Sequence, residues 1–140
     1  MEKPPLDQSN RTRLLAAVLL VPVIGLGLLA RSYRPDADTS TLLGFLATYT
    51  GDTLWPVMFC LIFRFLWPAV GTLPIVIGTF LLTQGIEFLQ LWKPPLLQWM
   101  REKPILGFLL GTHFLWSDVV CISVGCVLAW LLDSVSRNKT

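Results

Sequence analysis

The sequence predicts an all-α polytopic membrane protein: four transmembrane helices in an up-down bundle, with short interfacial helices in the two long connectors. Hydrophobic residues make up 54% of the 140-residue chain and charged residues only 14%, with a mean hydropathy of +0.63. Soluble domains carry about 25% charged residues. The hydrophobic residues form four blocks, each near the roughly 17–25 residues that a helix needs to cross a bilayer. These observations favour one compact membrane domain.

The four predicted spans follow the hydrophobic blocks in chain order. The first block follows Arg11 and Arg13 as in a signal peptide, but it has no clear small-residue cleavage site, so we predict a retained span. Pro22 removes a backbone hydrogen bond there and is expected to kink the helix. The membrane domain is predicted over 14–132, with spans at 14–30, 51–67, 72–92 and 114–132, and with polar tails at 1–13 and 133–140.

Two connectors are long and hydrophobic enough to lie in the head-group region of a bilayer. In the first, which contains TSTLLGFLATYT, Ser40 or Thr41 suits the cap of a short helix. In the second, KPPLLQWMREKPILGFLLGTH, Pro95 suits the first turn of another short helix and Trp99 suits an interfacial anchor. We therefore predict a short interfacial helix in each of these connectors.

The third span carries polar residues that do not suit contact with lipid. Thr83, Gln84, Glu87 and Gln90 fall within an arc of roughly 120° on an α-helix. A carboxylate inside a span costs roughly a few kcal/mol or more unless it meets water or a partner. We therefore predict that this stripe faces the bundle interior, either in a polar pocket or as a hydrogen-bonding clamp between helices.

Helix alternation places charged residues from all four spans at one membrane face. At about 1.5 Å per residue, Glu87 lies ~8 Å and Asp118 ~6 Å below this face. Arg31 ends the first span and is the partner that we predict first, because a guanidinium can bind a carboxylate through two hydrogen bonds. The predicted polar pocket consists of Arg31, Asp52, Gln84, Glu87, Gln90, Arg101 and Asp118.

Some charged residues also suit a purely structural role. Asp52 and Asp118 open predicted spans, where an acidic residue can cap a helix. Arg34 and the single histidine, His113, belong to the pocket face, and His113 is expected to be an ordinary interfacial residue. Arg64, on the other side, is expected to extend to the opposite surface.

Small residues recur on one face of the fourth span, where Ser117, Cys121, Gly125 and Ala129 are spaced four apart. Such faces let helices approach closely, so we predict a packing surface, within the chain or against a partner. The three cysteines form no C-x-x-C pair and are expected to pack as small hydrophobic residues.

The sequence lacks the motifs of several function classes. It has no basic stripe or nucleic-acid-binding motif, so no nucleic-acid partner is expected. One histidine without neighbouring ligands does not suit a metal site, and no cofactor-binding or catalytic motif occurs. We expect no metal and no cofactor. Whether the protein is an enzyme stays open.

Basic residues favour cytoplasmic termini by a small margin, since 6 lie on the side of the termini and 5 on the opposite side. By the positive-inside rule, we predict a multi-pass protein of the cell membrane with both termini in the cytoplasm and the pocket at the extracytoplasmic face. The six are Lys3, Arg11, Arg13, Arg64, Arg137 and Lys139, and the five are Arg31, Arg34, Lys93, Arg101 and Lys103.

Several short motifs resemble those of the VanZ-like membrane proteins in order and spacing. EFLQLW at 87–92 precedes Pro94 and Arg101, and WSDVVCISVG at 116–125 opens the last span. YTGDTLWP, together with Arg31, looks more similar still to an uncharacterised VanZ-related branch of small bacterial membrane proteins.

The resemblance covers about residues 26–132 and implies a link to the cell envelope. The VanZ-like family is associated with glycopeptide-antibiotic resistance, and its polar positions fall on Glu87, Gln90, Arg101 and Asp118. The second long connector departs from the family's pattern, which has a short polar link at this point.

Two functional hypotheses follow. In the first, the pocket binds a polar or anionic lipid-type head group, with Arg31 and Arg101 on the anionic part and the carboxyl groups as hydrogen-bonding or acid–base partners. In the second, the protein is a non-catalytic accessory subunit of a larger membrane complex, and the polar cluster only holds the bundle together. The expected partners are the lipid bilayer, a lipid-linked head group and other membrane subunits.

Overall fold

Residues 6–33, 39–110 and 114–138 are described by the computed structural model, and within them the chain is helical without strands. Four of the helices are long and apolar enough to cross a membrane, which confirms the all-α class with four spans. The helices are α1 (Leu6–Tyr33), α2 (Leu42–Leu66), α3 (Thr72–Leu89), α4 (Pro95–Arg101), α5 (Pro104–Leu110) and α6 (Trp116–Asn138).

The first helix is longer than the predicted span. It includes residues 6–13, which were expected to form a polar tail; residues 1–5 lie outside the described part. No glycine or proline interrupts the chain between Leu6 and Val21, and the Thr12 hydroxyl donates to the carbonyl of Gln8 at 2.9 Å. At about 1.5 Å per residue, α1 is ~42 Å long, so it extends beyond a hydrocarbon core about 30 Å thick.

The second helix includes the segment of the first connector that was predicted to form a separate short helix. Thr41 is the N-cap, and its hydroxyl accepts a hydrogen bond from the Gly44 amide at 3.1 Å. From there α2 runs without a break to Leu66, so Asp52 lies inside the helix and is not its cap. A glycine in a helix costs only about 1 kcal/mol, and Gly51 therefore does not end it.

The second long connector contains two short helices. Pro95 begins α4, as predicted from its fixed backbone angle. Gly107 in α5 lies so close to α4 that a Cβ there would overlap the carbonyl oxygen of Arg101. The two helices are thus folded tightly together beside the end of α3.

The bundle is built around α2, which packs against α1, α3 and α6, while α1 contacts no other described helix. A small buried core joins α2, α3 and α6 through Val57, Cys60, Ile75 and Ala129. At Gly125 a Cβ would overlap the Thr53 carbonyl oxygen on α2. The backbones of α2 and α6 therefore nearly touch, which only a glycine at this position allows.

A buried ion pair joins α2 to α6 at the end of the bundle where the termini lie. Arg64 is 3% exposed and Asp133 is 8% exposed. The Arg64 Nε and Nη2 atoms donate to the two carboxylate oxygens of Asp133 at 2.7 and 2.5 Å, and Nη1 donates to the carbonyls of Pro68 and Val70. We call this the Arg64–Asp133 pair.

This pair corrects one expectation. Arg64 does not extend to the surface, because Asp133 and two carbonyl groups satisfy its guanidinium inside the bundle. Residues 133–138, assigned to the polar C-terminal tail, are helical and continue α6 to Asn138. Residues 139–140 lie outside the described part.

Candidate functional site

The polar stripe of α3 faces the bundle interior. Thr83 is 0%, Gln84 7%, Glu87 8% and Gln90 5% exposed. By contrast, Phe88 on the other side of the same turn is 50% exposed. Near Glu87 the exposed apolar side chain of Phe88 therefore points away from the bundle, and the polar stripe meets the other helices.

Part of this stripe joins α3 to α6. The Gln84 side-chain amide donates to the carbonyl of Val119 at 3.2 Å and to the hydroxyl of Ser123 at 3.4 Å. One turn earlier, the hydroxyls of Thr79 and Thr83 donate to carbonyls of their own helix, so they leave no hydroxyl unsatisfied where the helices meet. Gln84 thus acts as a hydrogen-bonding clamp, as polar side chains in spans often do.

Three helices bring carboxyl groups together next to this clamp. Glu87 on α3 interacts electrostatically with Asp118 on α6 and with Asp52 on α2. Asp118 is buried, Asp52 is half-buried, and the Ser117 hydroxyl donates to Asp118 at 3.3 Å. Carboxylates this close repel one another when ionised. The arrangement therefore favours a hydrogen-bond donor or a cation between them.

Several acceptor atoms in this region are buried without a partner. Gln84 Oε1, Glu87 Oε2 and Gln90 Oε1 accept no hydrogen bond within the described residues. An unsatisfied buried polar group costs about 1–3 kcal/mol, so three of them are a substantial cost. We name Asp52, Gln84, Glu87, Gln90 and Asp118 the acceptor cluster, because their side chains carry acceptor oxygen atoms on three helices of the bundle.

Arg101 lies beside the acceptor cluster, but its guanidinium donates hydrogen bonds to carbonyl groups at the end of α3. Its Nη2 atom donates to the carbonyl of Leu89 at 2.7 Å and to that of Trp92 at 3.4 Å. A cation at this position stabilises the carbonyl end of a helix. Arg101 Nε is buried without a hydrogen bond and is the one donor atom among the unsatisfied buried side-chain atoms of the described residues.

The remaining predicted pocket residue, Arg31, lies in the last turn of α1 with an exposed side chain. Its pairing with Glu87 stays a prediction. Arg34 and His113 lie outside the described residues.

The small-residue face of α6 is mostly inside the bundle. Cys121, Gly125 and Ala129 are buried, and Ser117 is half-buried. Gly125 meets α2, and Ala129 belongs to the core that α2, α3 and α6 share.

The sequence interpretation missed the Arg64–Asp133 pair, although a signal for it exists. A charged residue inside a span requires a partner. Asp133 follows the last hydrophobic block directly, and it is the acidic residue nearest to Arg64 once the helices alternate. Assigning Asp133 to a tail removed it from consideration.

A family model described as "Protein of unknown function (DUF2809)" matches residues 41–126, more than half of the chain. The chain belongs to the DUF2809 family. The match begins at the N-cap of α2 and ends within α6, so it includes every residue of the acceptor cluster. No solved structure matches this DUF2809 protein. The resemblance to VanZ-like proteins stays a prediction.

Proposed function

We propose that this DUF2809 protein binds the polar head group of a lipid in the acceptor cluster, and that the head group donates hydrogen bonds through amine or hydroxyl groups. One observation carries the proposal: Gln84, Glu87 and Gln90 are each more than nine-tenths buried, yet each has an oxygen atom that accepts no hydrogen bond from the part of the chain that the structure describes. Their oxygens need donors, and a head group with several N–H or O–H groups supplies them.

The charge of the cluster favours such a head group over a purely anionic one. Three carboxyl groups contribute to the site, and Arg101, a basic side chain beside it, already binds the carbonyls at the end of α3. An added anion would meet carboxylate oxygens. An ammonium or hydroxyl group would relieve their repulsion.

The surroundings of the cluster favour a lipid over a water-soluble ligand. The helices α4 and α5 lie beside it and expose Leu96 (68%), Trp99 (54%) and Ile105 (75%). Such side chains suit the head-group region of a bilayer, with the tryptophan at the interface. The similarity to VanZ-like proteins also supports a ligand from the cell envelope, and under the positive-inside rule the site faces the extracytoplasmic side.

The test compares two lipids that differ in hydrogen-bond donors and not in net charge: phosphatidylethanolamine and phosphatidylcholine with the same acyl chains. Native mass spectrometry of the purified full chain should show phosphatidylethanolamine retained about tenfold more, because one hydrogen bond to a charged group contributes about 1.5–3 kcal/mol. The variant Glu87→Ala should lose this preference while the unfolding temperature stays within a few degrees. Equal retention of both lipids by the unmodified protein would contradict the proposal.

The second candidate is an accessory subunit, and the packing of α1 favours it. This helix contacts α2 alone among the described helices and exposes Leu14 (65%), Val18 (59%) and Val21 (73%). A partner helix would find a long apolar surface there. Extraction of the native complex in mild detergent, followed by blue native electrophoresis, should then yield a stoichiometric partner. Migration of a single chain would exclude this candidate.

A further inference from the structure

A groove lies at the opposite end of the bundle, between α1, α2 and α6. It holds about 510 Å³ of space, including its open side. The groove exists because α1 and α6 both pack on α2 while their backbones stay apart, and because the residues on its floor are small. These are Ala16, Cys60 and Ala129, which are 3%, 3% and 2% exposed.

The groove is amphipathic along its length. Toward the membrane centre its lining is apolar, with Leu15 and Leu19 from α1 and Val57 from α2. Toward the termini its lining is polar. This polar end consists of Thr12, Arg64, Asp133, Ser136 and Arg137.

The polar end carries a positive balance. Two arginines and one aspartate line it, so the sum of formal charges is +1. Arg64 binds Asp133 in the buried pair, and Arg137 is exposed and donates to the carbonyl of Val70 at 2.8 Å. Arg11 and Arg13 are exposed on the same end of α1. The groove thus has an apolar part toward the membrane centre and a basic opening at one membrane face.

We propose that this groove binds one acyl chain of an anionic phospholipid, with the phosphate beside Arg137 at the basic opening. The basic opening selects the charge of the head group, and the small residues on the floor admit the chain. A second copy of the protein suits the groove less well, because a copy in the same orientation would bring two basic ends together. The site differs from the acceptor cluster in its position, its residues and the charge of its ligand.

The experiment measures lipid retention by the purified full chain, using native mass spectrometry with phosphatidylglycerol and phosphatidylcholine of identical acyl chains. Phosphatidylglycerol should be retained preferentially. In Arg137→Gln this preference should fall about fivefold, the effect of about one basic residue at an anionic membrane surface. Retention that does not depend on the head group, or that is unchanged in Arg137→Gln, would overturn the proposal.

A second variant tests the acyl-chain part independently of charge. Ala16→Leu adds three carbon atoms to the floor and should reduce retention of both lipids. Ala17→Leu makes the same change at a half-buried position outside the groove lining and should leave retention unchanged. Equal behaviour of the two variants, or a dimer in place of a lipid adduct, would refute the site. Because Glu87→Ala leaves this groove intact, the two proposals can fail separately.

Discussion

The two polar regions at opposite ends of the bundle differ in how completely their hydrogen bonds are satisfied. In the Arg64–Asp133 pair both carboxylate oxygens and all three guanidinium nitrogens make hydrogen bonds. In the acceptor cluster, buried oxygen atoms of Gln84, Glu87 and Gln90 accept none within the described residues. Each region joins α6 to another helix, the pair to α2 and Gln84 of the cluster to α3, so the need to hold the bundle together does not by itself explain the difference.

A satisfied buried pair and an unsatisfied buried cluster have opposite consequences for stability. Removing one partner of the pair leaves a buried charge alone, which costs several kcal/mol. Removing Glu87 or Gln90 from the cluster eliminates a buried oxygen atom that accepts no hydrogen bond within the described residues, so the effect should be close to neutral or stabilising. Stability measurements on single variants therefore separate the structural end of the molecule from the candidate binding end.

The largest effect is expected at the pair. Arg64→Met leaves Asp133 buried and unpaired and should lower the free energy of unfolding by about 3–5 kcal/mol. Unfolding in mixed micelles with increasing denaturant measures this loss. The double variant Arg64→Met/Asp133→Leu should recover most of it, because two apolar side chains replace both charges. Arg13→Gln, at an exposed position, is the control. A double variant as unstable as the single one would contradict an ion-pair role.

The next largest effect is expected at Arg101. Its Nη2 atom makes hydrogen bonds, whereas its Nε atom makes none within the described residues. Arg101→Gln removes the cation from the end of α3 and should lower stability by about 0.5–2 kcal/mol. Thermal unfolding followed by circular dichroism measures the change, with Lys103→Gln as the control in the same connector. If Arg101→Gln instead removed lipid retention without any loss of stability, Arg101 would belong to the binding site.

A smaller effect, of opposite sign, is expected at Glu87. Glu87→Gln keeps the shape of the side chain and removes one of three neighbouring carboxyl groups, so repulsion with Asp118 and Asp52 falls. Stability should rise by up to about 1 kcal/mol, while the preference for phosphatidylethanolamine decreases. The same thermal assay reports the first result and native mass spectrometry the second. A loss of stability comparable to that in Arg64→Met would make the cluster a structural clamp.

The smallest effect is expected at Gln90. Gln90→Leu introduces an apolar side chain of similar size in place of a buried amide, whose oxygen accepts no hydrogen bond within the described residues. The free energy of unfolding should change by less than about 1 kcal/mol, in either direction. Gln84→Leu is the contrasting variant, since it also removes the hydrogen bonds to Val119 and Ser123 and should cost more. Equal losses in the two variants would show that Gln90 has a structural partner.

The sequence predicted the parts of the fold that depend on hydrophobic periodicity. Four hydrophobic blocks identified four spans, and the helical spacing of Thr83, Gln84, Glu87 and Gln90 predicted an inward stripe. The ends of the helices could not be predicted in the same way. A helix continues through polar residues once a cap such as Thr41 starts it, whereas a hydrophobic block ends at the first polar cluster.

Contacts between residues far apart in the chain were harder to predict than which face of a helix is buried. That Arg64 binds Asp133 depends on the length of α6, because Asp133 lies beyond the hydrophobic block that defined the last span. Likewise, the use of Arg101 at the end of α3 depends on the close approach of α4 and α5 at Gly107. Neither the contact of Arg64 with Asp133 nor the close packing at Gly107 can be read from hydropathy or residue spacing.

The separation of Arg64 from Asp133 along the chain has a consequence for biogenesis. The ribosome makes Arg64 69 residues before its carboxylate partner. At a synthesis rate of about 5–20 residues per second, Asp133 is made roughly 3–14 s after Arg64. During this delay its guanidinium can already reach the carbonyls of Pro68 and Val70, which follow only 4 and 6 residues later. The turn after α2 thus provides temporary partners for a charge that enters the bilayer early, until the last helix arrives to neutralise it.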